Sequence, residues 1–158
     1  MVRVGTGWDL HRLVPGRPLI LGGVTVASPE GLEGHSDADV LAHAVGDALL
    51  GAAGAGDLGT FFPSSDSRWK GASGQVLLER ILCELSGWRI ENVDATLIAE
   101  RPRLAEWRAR IEASLARLLR VEGARVNVKL KSSDGLGALG RGEGIAAQAA
   151  VLISRSDT

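Results

Sequence analysis

The sequence has one cysteine, no tyrosine, almost no net charge and no histidine beyond residue 43. Each shortage removes a class of protein. A single cysteine, Cys83, cannot build an internal disulfide framework. It falls in an apolar helical pattern and is expected to be a small buried side chain rather than a nucleophile. Lysine and arginine number 18 against 19 aspartates and glutamates, so the net charge of -1 gives no electrostatic reason to expect nucleic acid or a membrane surface as a partner. No apolar run reaches membrane-spanning length, and no basic leader followed by an apolar core opens the chain. A cytoplasmic protein with no membrane partner is therefore expected. At 158 residues and 45% hydrophobic, the chain suffices for one domain, 1–158, with a substantial core.

What is present is concentrated. The chain has 21 glycines, many of them in short loops where close backbone approach to a ligand needs them. All three histidines lie in the first 43 residues, each near an aspartate. Val2, Arg3 and Val4 predict a short first strand running into Gly5-Thr6-Gly7. Pro18 to Leu21 and Val24 to Val26, joined by Gly22-Gly23, read as a hairpin. Ser36 is the expected N-cap of a helix to about Ala53, with Asp37 and Asp39 in its first turn. Leu77, Leu78, Ile81, Leu82 and Leu85 recur at helical spacing between Ser73 and Ser86, and Gly87 ends that run. Val93 to Ile98 predicts a strand. Pro102 suits the first turn of a helix with Leu104, Trp107, Ile111, Leu115 and Leu118 on one face. Val126, Val128 and Leu130 alternate in a further strand. A glycine-rich turn, 135 to 144, precedes a final strand from Ile145 to Ile153. The mixed order implies an α+β domain, with helices on one face of a mixed sheet.

In an extended segment residues two apart share a side, so Asp9 and His11 can present a carboxylate and an imidazole to one ion. His43 follows two turns into the next helix. Three ligands with one open position is the arrangement of a working metal. The alternative is an aspartate cap and two unrelated histidines. Asp39, His43 and Asp47 share a helix face, and either acid can accept the second N–H of His11 or His43, or simply be solvated. His35-Ser36 precedes a helix start that favours anions, or is a plain N-cap. Lys131-Ser132-Ser133-Asp134 ends a strand with hydroxyls and donors suited to phosphates, or is a polar strand end. Arg141 in Gly140-Arg141-Gly142-Glu143-Gly144 offers a fork for an anion, or pairs locally with Glu143. The four tryptophans read as packing rather than stacking platforms.

Taken in order, Gly5 to His11, His35 to His43, Gly56 to Gly59, Phe62 to Asp66 and Gly140 to Ala146 resemble the 2-C-methyl-D-erythritol 2,4-cyclodiphosphate synthase family over nearly the whole chain. The resemblance implies a phosphorus-oxygen lyase of the non-mevalonate isoprenoid route, converting 4-diphosphocytidyl-2-C-methyl-D-erythritol 2-phosphate to the cyclic diphosphate and CMP. It implies a homotrimer, sheets facing the threefold axis, with active sites between subunits. By position it implies that Asp9, His11 and His43 bind Zn²⁺, and that His35 and Ser132 stabilise the transition state. Leu10 and Ser36 fall beside those ligands. Asp57, Leu58 and Gly59 with Phe62, Pro63, Ser64, Ser65 and Asp66 would hold the methylerythritol part. Ala99, Glu100, Arg101, Pro102, Arg103, Leu104 and Ala105 would form the cytosine pocket. Lys131, Ser132, Ser133 and Asp134 would lie around the phosphates and a second cation, Mg²⁺ or Mn²⁺. Many members carry a threonine run and a glutamate there. Serine keeps the hydroxyl, whereas aspartate is one methylene short, a gap a bridging water would fill. Ala138 stands where the family often has an aromatic at the trimer axis, and Arg141 lies near that axis.

Two other functions use the same residues. A zinc-dependent phosphohydrolase would release inorganic phosphate. A non-catalytic trimeric module with a structural zinc would need a fourth protein ligand, and the sequence offers no fourth histidine or second cysteine.

Overall fold

The computed structural model describes residues 1–63 and 65–155; Ser64 and residues 156–158 lie outside the described residues. In chain order the elements are β1 (Val2–Pro15), β2 (Leu19–Leu21), β3 (Val24–Val26), β4 (Glu30–Leu32), α1 (Val40–Ala53), α2 (Leu58–Phe61), α3 (Gly74–Glu84), β5 (Arg89–Ile98), α4 (Arg108–Leu119), β6 (Val126–Lys131), α5 (Gly137–Gly140) and β7 (Gly144–Ser154). Five strands form one sheet in the order β4-β1-β7-β5-β6, and β2 and β3 form a separate hairpin. Only β5 and β6 run parallel; the other pairs are antiparallel. The sheet is therefore mixed, as the alternation of strands and helices predicts.

Residues opposite one another form rows across four strands. Gly5, Val151, Val93 and Val126 make one row, and Gly7, Ala149, Ala95 and Val128 the next. Both are buried, which is the helix-covered face. There α1 lies on β1 so closely that a Cβ on Gly5 would stand 1.9 Å from the Ala48 carbonyl oxygen, and one on Gly7 2.0 Å from that of Ala44. These two glycines serve helix-on-strand contact, not a ligand loop. The contact points step by four residues along α1 as they step by two along β1. Farther along that side Asp9 reaches His43, the neighbour of Ala44, and His11 follows. The other face leaves Val2, Val4, Trp8 and Leu10 exposed. Helices accordingly cover one face only.

Several local expectations need correction. The first strand is 14 residues long, not a short one that runs only into Gly5-Thr6-Gly7. Glu30–Leu32, unassigned from sequence, pairs with the end of β1. Helix α1 is capped not by Ser36 but by Asp39, because Ala38 at φ 57° turns the chain first. Asp39 is wholly buried. Its carboxylate accepts the Ala42 N–H (3.1 Å) and also the N–H groups of Gly22 (2.8 Å) and Gly23 (2.7 Å) in the hairpin turn. Burial pushes its pKa up against those three donors. Pro102 is not in the first turn of a helix; α4 starts at Arg108, after a single 3₁₀ turn at Ala105–Trp107. Cys83 is exposed, because it lies on the outer side of α3 while Leu78 and Ile81 face inward.

Candidate metal centre and adjoining clefts

Three donor atoms converge where β1 passes under the start of α1. Asp9 Oδ2 stands 2.9 Å from His11 Nε2 and 2.9 Å from His43 Nδ1, and the two ring nitrogens are 3.2 Å apart. They form the one group of three such ligands among the described residues. A tetrahedral zinc with bonds of about 2.0–2.1 Å separates its ligands by roughly 3.3 Å. The atoms present need to spread by only a few tenths of an ångström, so the donor set fits such an ion. It also leaves the fourth position to a reactant.

The opposite ring nitrogens are held as metal-bound imidazoles require. His11 Nδ1 lies 2.7 Å from the Glu33 carbonyl oxygen, and His43 Nε2 lies 3.1 Å from Ser36 Oγ. A proton on each of those nitrogens leaves the inward nitrogen free as a ligand. Neither Asp39 nor Asp47 takes this part. Asp39 is committed to three backbone donors, and Asp47 accepts the Leu58 N–H at 2.8 Å. The segment carrying Glu33 and Ser36 is pinned from outside by Arg17, which donates to the carbonyls of Gly34 and Ser36.

The electrostatics agree with a cation site. Burial raises the Asp9 pKa, but hydrogen bonds from His11 and His43, with their charge, bring it far below the carboxylate range. Burial lowers that of His11, yet the bond and charge of Asp9 raise it above 6.5. Asp47 is raised by burial, against the Leu58 N–H and with repulsion from Asp57 and Asp9.

These atoms open on a cavity of about 270 Å³, which also takes in His35, Ser36, Asp47, Leu58, Gly59, Phe62, Trp69 and Leu77. Trp69 and Leu77 were not legible as site residues, since only the fold carries them there. Trp69 stacks edge-on against Phe62 at 4.8 Å. Asp57 and Asp66 do not line the cavity; each caps the next turn, through Thr60 and Arg68 respectively, and so fixes the loops that do. Pro63 and Ser65 also stand outside the lining.

The 99–105 segment meets the end of β6 in a second cleft of about 310 Å³, lined by Ala99, Glu100, Pro102, Arg103, Leu104, Ala105, Lys131 and Ser132 together with Leu97 and Leu130. Glu100 Oε1 accepts from Ser133 N (2.7 Å), Ser133 Oγ (3.0 Å) and Gly135 N (3.3 Å). Those donors lower its pKa and tie down the loop after β6. Ser133 is thereby occupied, and Ser132 Oγ accepts from Asp134 N at 3.3 Å with its own proton left to give. Arg101 turns away, to Glu30 and the Gly142 carbonyl. Leu10 and Ala138 line a third recess of about 200 Å³, and Arg141 pairs with Glu143 at 2.6 Å. His35 and Ser132 thus belong to separate clefts within one chain.

An α+β fold thus carries a three-donor group that could hold a divalent ion, open to a cavity, and a second, largely apolar cleft with Arg103, Lys131, Glu100 and Ser132 in its lining. The chain belongs to the YgbB family, whose model matches residues 2–154. It is 53% identical over 158 residues to the 2-C-methyl-D-erythritol 2,4-cyclodiphosphate synthase of Geobacillus kaustophilus (strain HTA426), covering 99% of this chain and all of that one. A solved 2C-methyl-D-erythritol-2,4-cyclodiphosphate synthase in a CDP-bound form superposes with a TM-score of 0.88 at 40% identity, covering 96% of this chain and 100% of the other. The bifunctional IspDF from Campylobacter jejuni matches with a TM-score of 0.92 at 35% identity over 99% of this chain, which spans 43% of that protein.

Proposed function

We infer that this chain is a metal-dependent cyclodiphosphate synthase, an enzyme of isoprenoid biosynthesis. It converts 4-diphosphocytidyl-2-C-methyl-D-erythritol 2-phosphate to 2-C-methyl-D-erythritol 2,4-cyclodiphosphate and CMP. The observation that carries this is the convergence of Asp9, His11 and His43 at the mouth of a cavity in a chain alike in full length to named synthases.

The reaction needs no protein nucleophile. An oxygen of the 2-phosphate attacks the β-phosphorus, the bond from that phosphorus to the bridging oxygen breaks, and CMP leaves with the electron pair. A zinc ion held by Asp9, His11 and His43, and a second Mg²⁺ or Mn²⁺ near the diphosphate, would supply polarisation and charge neutralisation when bound. The protein's own groups bring two anions together. His35 and Ser132 donate to phosphoryl oxygens whose charge grows in the transition state. Leu58, Gly59 and Phe62 shape the apolar wall against which the methylerythritol chain folds, with Trp69 and Leu77 beside them. The segment from Ala99 to Ala105 holds the cytosine. Much of the rate gain comes from this positioning.

The assembly we propose is a homotrimer with the open sheet faces toward the threefold axis. Supporting it are Val2, Val4, Trp8 and Leu10, all exposed on that face of one strand, the kind of contiguous apolar surface that a partner covers. Such an arrangement sets the metal cavity of one subunit beside the second cleft of its neighbour, uniting His35 with Ser132. The single domain 1–158 is supported by one core cluster that runs from Leu13 to Ile153. No helix among the described residues is long and apolar enough to cross a membrane. The exposed, unpaired Cys83 accords with a reducing, cytoplasmic setting.

Incubation with the nucleotide-linked substrate, followed by phosphorus NMR, tests the proposal. Cyclic diphosphate and CMP should appear together with no free phosphate. Release of inorganic phosphate instead would make the protein a phosphohydrolase.

A further inference from the structure

A recess at the opposite end of the sheet lies far from the metal centre. Strand β5 begins at Arg89, opposite Ser154, which in turn pairs with Val2, whereas the metal ligand His11 stands nine residues beyond Val2 on β1. At about 3.3 Å per residue the two ends are roughly 30 Å apart. Here Leu82, Leu85, Ile90 and Val121 line a cavity of about 370 Å³ together with Trp88. The guanidiniums of Arg89, Arg120 and Arg125 complete the lining against one carboxylate, Glu122. Arg155 and Arg3 add charge beside it, 4.6 Å and 5.9 Å from the centre of the Trp88 ring.

Two of these arginines are placed for a ligand. Arg125 is pinned through Nη1 alone, which donates to Glu91 Oε2 (2.6 Å) and to the carbonyls of Glu91 (3.1 Å) and Ile90 (3.4 Å). Its Nε and Nη2, the edge that grips a phosphate through two parallel bonds, make no bond among the described residues. Glu91 also accepts from Arg89 Nε at 2.6 Å, so one carboxylate fixes both guanidiniums. Arg120 makes no side-chain hydrogen bond or ion pair among the described residues. It nevertheless stands at φ 57°, a left-handed helix end where glycine is the usual occupant. No polar contact within the fold accounts for an arginine there.

We propose that this recess binds a phosphorylated small molecule with an apolar body, its phosphate on Arg125 and Arg120 and its body against Trp88 and the aliphatic floor. The volume exceeds what a bare phosphate fills and lies in the range of small-molecule sites. The site is distinct from the metal cavity and takes no part in the reaction. Its occupant stabilises the fold by mass action.

Phenyl phosphate, n-butyl phosphate and inorganic phosphate serve as probes, titrated into zinc-loaded, isotope-labelled protein and followed by NMR. The Trp88 indole N–H and Arg125 Nε–H resonances should move together, and the better organic phosphate should bind about fivefold or more tighter than inorganic phosphate. The tighter of the two organic probes assigns the body as aromatic or aliphatic. Arg120→Gly removes the charge at a position that glycine favours. It should raise the melting temperature yet weaken binding by roughly fivefold or more, with zinc content and turnover unchanged. Arg120→Lys should keep most of the affinity. Resonances of Trp88 and Arg125 that stay still while those of the metal cavity move would overturn the proposal. So would equal affinity for all three probes, or an Arg120→Gly protein that binds as wild type does.

Discussion

At the scale of single residues, the centre is defined by which nitrogen of each imidazole points inward. The Glu33 carbonyl fixes His11 and Ser36 Oγ fixes His43 from behind. Sequence spacing made Asp9, His11 and His43 legible as a ligand set, because alternation along a strand is a local property. The orienting partners were not legible, because Glu33 meets His11 only through the fold, and Ser36 meets His43 only once the turn at Ala38, whose N–H Ser36 Oγ accepts, has moved the cap to Asp39. Removing His43 by substitution with alanine should abolish stoichiometric zinc, read by atomic absorption, and product formation together. Full turnover with the metal gone would end the metal role. The pH dependence of zinc binding follows from His11. In the metal-free fold its pKa lies above 6.5, so the Asp9–His11 pair stabilises that state below this pH and ceases to do so as pH rises through the raised value. Zinc must displace that proton. Apparent zinc affinity should therefore climb with pH until His11 is neutral and fall steeply in acid. A flat profile from acid to neutral pH, measured by competition with a chelator, would contradict the assignment of His11 as a ligand.

At the scale of elements, the strand–helix contact sets the geometry that those residues need. The hairpin, α1, α3 and β6 were readable because their signals are local: a Gly-Gly turn, an apolar period, a two-residue alternation. The full extent of β1 was not, since Gly5 and Gly7 are poor strand formers on propensity alone. Their merit appears only when α1 lies on them. A Cβ at residue 7 would meet the Ala44 carbonyl at 2.0 Å, on the residue next to His43. Gly7→Ala should force α1 outward, lowering stability by about 1–3 kcal/mol or more and weakening zinc binding with it. Gly51→Ala is the control. That glycine sits within α1 with nothing nearer to its Cβ than Thr6 O at 4.0 Å, and the change should raise helix stability by roughly 0.5–1 kcal/mol. Thermal denaturation in parallel with zinc titration distinguishes the two.

At the scale of the whole molecule, His35 and Ser132, paired in the proposed mechanism, line different clefts of one chain, and the proposed trimer would unite them across the open sheet face. No periodicity along the chain could have revealed this separation, because it arises from which strand edges the 99–105 and 131–134 segments occupy. Placing a charge on that face probes the assembly. Trp8→Asp, at a side chain 57% exposed in the single subunit, should leave the fold and the zinc centre intact. It should reduce the mass seen by analytical ultracentrifugation from trimer to monomer, and turnover should fall with it. A Trp8→Asp protein that stays trimeric and active would place the interface elsewhere.

The Asp39 carboxylate joins two segments that are separate in sequence, the turn at Gly22–Gly23 and the opening of α1. Three amides therefore share one carboxylate, those of Gly22 and Ala42 on Oδ1 and that of Gly23 on Oδ2. In deuterium oxide the hydrogens of Gly22, Gly23 and Ala42 should resist replacement as one cooperative unit, with a common opening free energy. Asp39→Asn should loosen all three at once, and with them the first turn of the helix on which His43 is carried.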